Sequence, residues 1–162
     1  MPRVNFDTLP GRSRLWVFAA ERELAPVERD RLMRTVDGFL DEWSAHGHPL
    51  TSARDLRHGR FLLVAVDEEA AGASGCSIDS LVREIRAIES GLGFTLVDNA
   101  PVVYRDGSEI RRVSRDEFAA LARQGLVTED TPVFDNTIRK VEALERHWEV
   151  PARDAWHGRA FF

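Results

Sequence analysis

The segment Arg60 to Val66 (RFLLVAV) constrains this chain most, because Phe61 to Val66 is an unbroken apolar run with no face to offer water. A strand of that kind is buried on both sides and belongs in the middle of a sheet. It needs partner strands on each edge and cover over each face. Arg14 to Ala20 (RLWVFAA), bounded upstream by Pro10-Gly11, reads as a second buried strand. Leu50 to His58 is a weaker, charged strand that Gly59 turns back into the central one. Cover comes from two amphipathic helices. Pro26 suits the first turn of one, which carries Leu32, Val36, Phe39 and Trp43 at helical spacing, widened by Met33 and Leu40, and ends at Gly47 with Pro49 beyond. The other presents Ile78, Leu81, Val82, Ile85 and Ile88 on one face and stops at Gly91.

Downstream, Phe94 to Val97 and Val102 to Arg105 predict short strands, and Asp106-Gly107 predicts a hairpin returning through Ile110 to Val113. Ser114 with Glu117 forms a capping box, with Val113 and Phe118 placed as its hydrophobic staple, so a third helix runs to Gly125. A fourth helix is expected from about Asn136 to Trp148, carrying Ile138, Val141 and Leu144. Trp156, Phe161 and Phe162 make the tail apolar enough to pack back on the body. The order strand, helix, strand, strand, helix, strand is the split βαβ arrangement of a ferredoxin-like α+β fold: an antiparallel sheet with helices on one face and a C-terminal helical extension. At 162 residues, without repeat or Gly/Ser linker, a single domain is expected, with a core at about 12–125 and the extension at about 126–162.

The 27 acidic against 22 basic side chains leave a net charge of −5, which argues against a broad contact with a phosphate backbone, so nucleic acid is not an expected partner. Cys76 is the single cysteine and has no internal disulfide partner. The longest apolar run, Phe61 to Val66, is too short to span a bilayer, and Met1 to Asp7 lacks the apolar centre of a secretory signal. The expected address is the cytoplasm, with no membrane partner.

Chemistry points to Asp67 to Asp79 (DEEAAGASGCSID), where a buried strand hands the chain through a small-residue loop to a helix. Unpaired amides and the positive end of the helix dipole at such a junction favour an anion or a thiolate. Cys76, just before an N-cap placed at Ser77, is the candidate nucleophile, with His46 or His157 as its base. Ser74, Gly75, Ser77, Asp79 and Asp67 are the candidate ligand-binding residues for a small anionic molecule. Each has a plainer explanation: a buried small hydrophobe for the thiol, a cap for Ser77, dipole complement for Asp79 and His46, and a C-terminal anchor for His157. No spacing of His, Cys and carboxylates matches a metal pattern, and no cofactor motif is present.

Several stretches resemble an uncharacterised bacterial family: Leu9-Pro10 with Arg14 to Phe18, Trp43 to Gly47, Val66 to Glu68, Ala73 to Asp79, Tyr104 to Gly107, and Trp156 to Arg159. The ASGCSID stretch is the most specific of these. Members of that family are frequently labelled ABC transporter ATPases. Hydrolysis of that kind requires G-x-x-x-x-G-K-[ST], whose lysine reaches the phosphates, and this chain has neither that pattern nor an LSGGQ-like signature. The resemblance therefore implies a family without an activity.

Two functional readings remain open. One is a thiol or anion site at the second helix entrance, which as an enzyme would transfer acyl or thiol groups. The other is a non-catalytic binding or oligomerisation module, a homodimer for example, pairing through the edge strand at Leu50 to His58.

Overall fold

The structure is a computed structural model that describes residues 3–45, 47–69, 75–96 and 101–162, with backbone alone at 44, 45 and 75–77. The first half of the chain runs β1 (Arg14–Ala19), α1 (Pro26–Glu42), β2 (Ser44–Ala45), β3 (His48–Pro49), β4 (Ser52–Arg57), β5 (Phe61–Val66) and α2 (Gly75–Leu92). β1, β5 and β4 form an antiparallel sheet in that order, with Trp16 and Arg54 both opposite Val64. β5 is central, and all six of its residues are buried, as its sequence requires.

The strand period of two then splits the core. Leu62, Val64, Val66 and Phe18 face one way, against Leu32, Val36 and Leu40 of α1 and Leu81, Ile85 and Ile88 of α2. Phe61, Leu63, Ala65, Leu15 and Val17 face the other way, against Phe6, Leu9, Val103, Phe134 and Trp148. α1 starts where Pro26 was expected to start it, and the Glu28 carboxylate accepts the Ala25 N–H at 2.9 Å, which satisfies one of the amides left open at a helix start.

The second half builds another antiparallel sheet from β6 (Val102–Asp106), β7 (Glu109–Val113), β8 (Pro132–Phe134) and β9 (Glu149–Pro151), in the order β7-β6-β8-β9. α3 (Arg115–Arg123) and the six-residue α4 (Trp156–Phe161) cover its outer face through Val102, Tyr104, Phe118, Val127 and Val133. The result is four layers: two helices, a three-stranded sheet, a four-stranded sheet, and two short helices. The α3 start matches its sequence signal, since the Ser114 hydroxyl accepts the Glu117 N–H at 3.1 Å.

Two expectations are corrected. Phe94–Leu96 forms no strand (Val97 lies outside the described residues), and Val102–Asp106 pairs into the second sheet instead of joining the first. The helix expected over 136–148 is only a 3-10 turn at Val141–Leu144. Long-range bonding explains this second difference. The Leu15 N–H donates to the Arg139 carbonyl at 2.8 Å, and Lys140 bridges Arg14, so this segment spends its backbone groups on the open edge of β1. Ile138, Val141 and Leu144 still reach the core, but from an extended chain and a single turn. The helical C-terminal extension is thus mostly β8, β9 and short turns, and β8 lies between β6 and β9 inside the second sheet. Among the described residues, no helix is long and apolar enough to cross a membrane.

Candidate functional site

β5 carries a chemically notable position at each end: the lead into α2 beyond Val66, and Arg60 just before Phe61. At the first end, Asp67 holds the strand exit through its N–H, which donates to the Thr51 carbonyl at 2.9 Å. Its carboxylate is largely covered, lies 3.6 Å from Arg12 Nη2, and accepts the Glu69 N–H at 3.2 Å. Asp67 is thus already engaged by a cation and an amide. Arg12 also holds Glu69 through Nε at 2.8 Å.

α2 begins at Gly75, so Cys76 and Ser77 lie inside its first turn. α2 is 18 residues long as described, and the first amides of a helix ordinarily lack an acceptor within it. Asp79 is exposed in the turn that follows. α2 packs against α1 and also against β2, so the hairpin of β2 with β3 rests on this helix. His46 and Ser74 lie outside the described residues.

His157 sits elsewhere. It lies in α4, 1% exposed, with its ring stacked on Trp156 at 3.9 Å and 6.4 Å from Phe118. Burial lowers its pKa from 6.5 to about 4; the nearby Asp135 carboxylate acts in the opposite sense and the Arg115 charge adds to the lowering. The ring is therefore neutral at pH 7, and its Nδ1 has no partner. Both sheets stand between α4 and α2.

Sequence reading passed over Arg60. Its guanidinium donates from Nη1 to the Ile110 carbonyl at 2.6 Å and from Nη2 to the Ala20 carbonyl at 3.2 Å, while Nε is buried without a partner. The residue is 5% exposed and borders a cleft of about 540 Å³ between the end of the first sheet and β7. Burial lowers its pKa, the charge of Arg112 lowers it further, and Glu23 is the one opposing influence. The available signal was a lone arginine heading a wholly apolar strand, where a buried cation must find acceptors.

No family model matches this chain, and comparison with curated proteins and with solved structures returns no match either. Among the described residues, no group of three or more His, Cys, Asp and Glu side chains is arranged to hold a metal ion.

Proposed function

We propose that this is a cytoplasmic protein that works through a small-anion or thiol site at the entrance of α2, between Ser74 and Asp79. The observation that carries the reading is the position of Cys76 at the described start of an 18-residue helix, where amides ordinarily lack a helical acceptor. A thiol so placed ionises more readily, and the same amides attract a carboxylate or a phosphate. The resemblance on the ASGCSID stretch marks the same segment. If the site is catalytic, Cys76 is the nucleophile, the Ser77 and Ile78 amides hold developing negative charge, and His46 is the base.

The test is the pH profile of Cys76 alkylation by iodoacetamide in the folded protein. The expected profile rises well below the ordinary thiol value of about 8.5. An ordinary profile, or no labelling until the protein unfolds, removes the reading.

The competing module reading is favoured by one observation: β4 is an edge strand, and among the described residues its outer backbone is bridged only at Ser52, by Arg3 and Val4. Light scattering behind size-exclusion chromatography decides between them, since a stable dimer with an inert thiol supports the module. For the fold, the β1-β5-β4 order with α1 and α2 on one face supports reading these elements as the first part of a ferredoxin-like sheet.

A further inference from the structure

We propose that the cleft between Arg60 and β7 is a binding site for a small oxyanion, a carboxylate or phosphate group, held by the buried Arg60 guanidinium with Arg112 as the second cation. The inference does not rest on the α2 reading, because the cleft lies at the opposite end of β5.

The argument starts from how arginines are used elsewhere in this chain. Arg54 grips Asp37 with Nε at 2.7 Å and Nη2 at 2.9 Å, and Arg105 grips Glu149 with Nε at 2.6 Å and Nη2 at 3.2 Å. That edge of a guanidinium matches the two oxygens of a carboxylate or phosphate. Arg60 has no carboxylate on this edge: its Nη2 reaches only the Ala20 carbonyl and its Nε reaches nothing. It is also far more enclosed than the other two. A buried cation without a counterion is costly, and an anion arriving from the cleft supplies what it lacks.

The other charges around the cleft are already committed. Arg22 is held by Glu28 through two bonds of 2.8 Å, and Arg111 by Asp106 and Glu109. Glu23 pairs with Arg29 at 3.3 Å, and Glu21 accepts the Thr95 N–H at 3.3 Å. Arg112 donates to the Thr95 hydroxyl at 2.9 Å and borders the same space. The lining therefore holds four arginines against three glutamates, and Arg60 is the cation among them that has only neutral carbonyls for partners. The rim consists of long, half-exposed side chains such as Arg22, Arg111 and Glu109, which can part to admit a small molecule. The volume is that of a small-metabolite site.

The probes are inorganic phosphate and malonate, each compared with sodium chloride at equal ionic strength. Binding is followed by thermal midpoint and by the NMR resonance of the Arg60 Nε–H in the intact chain. The expected result is a saturable rise in midpoint and a shift of the Arg60 resonance with one or both probes; which probe acts tells phosphate from carboxylate. Arg112→Gln, at the rim, should weaken apparent affinity about tenfold, as expected for loss of one charge-assisted contact. Arg60→Lys should weaken it at least as much, and if that variant fails to fold, the wild-type resonance and Arg112→Gln still decide. A resonance unmoved by both probes overturns the proposal, as does binding that Arg112→Gln leaves intact.

Discussion

The Nη1 of Arg60 donates to the carbonyl oxygen of Ile110 at 2.6 Å, and this bond fastens the turn before β5 to β7, joining the two sheets. The same guanidinium reaches the Ala20 carbonyl beyond β1, so one side chain ties three backbone segments. Replacing it with methionine keeps the stem and removes both donors. Each orphaned buried carbonyl costs desolvation, partly offset by relief of the buried charge. Arg60→Met is expected to destabilise the protein by about 1–3 kcal/mol, read as a lower urea midpoint at unchanged m-value. A neutral result would show that the sheets hold together without this tie.

Asp37 on α1 takes two bonds from Arg54 on β4 and a third, longer approach from Arg3 at 3.5 Å. The pair is partly shielded, and the carboxylate raises the Arg54 pKa chiefly through its hydrogen bonds. A double-mutant cycle with Asp37→Asn and Arg54→Met should return a coupling of about 0.5–1 kcal/mol, because solvent still screens much of the interaction. A coupling indistinguishable from zero would mean the contact contributes geometry alone.

His157 makes stability depend on pH. Its folded pKa, about 4, lies below the ordinary 6.5, so between those values the unfolded chain binds more protons than the native one. Stability is therefore full above about pH 6.5 and falls as pH drops toward 4, by about 2 kcal/mol at pH 5 for a group this enclosed. Urea midpoints should show that slope in the wild type and its loss in His157→Phe. Glu28, lowered from 4.5 to about 2 by Arg22 and the Ala25 amide, loses its contribution mostly below that window, as pH falls from 4.5 through 2.

Gly38 and Gly158 should respond oppositely to alanine. A Cβ on Gly38, inside α1, would meet nothing within 4 Å, and the helix gains from reduced backbone freedom. Gly38→Ala should stabilise by about 0.5–1 kcal/mol. A Cβ on Gly158 would lie 2.9 Å from the Arg153 Cα and 3.0 Å from the Ala152 carbonyl oxygen, both backbone atoms. Gly158→Ala should destabilise by about 1–3 kcal/mol through overpacking. Thermal unfolding of the two variants side by side checks the sign of each.

Local pattern alone was enough to specify the central strand, the two long helices and the α3 cap. Phe61 to Val66 cannot face water in any arrangement, the periods of α1 and α2 each define one apolar stripe, and Ser114 bonds an amide three residues away. What the tertiary structure decided involves partners far apart in the chain. The stretch 136–148 has a helical apolar spacing, yet its backbone bonds across to β1, a choice no local window contains. The two sheets separate α4, with His157, from α2, a placement no local window contains. Arg60 became notable only when Ile110, 50 positions away, supplied one of its few acceptors. Periodicity records which face of an element avoids water. The pairing of charges and amides across the fold depends on distances that only packing sets.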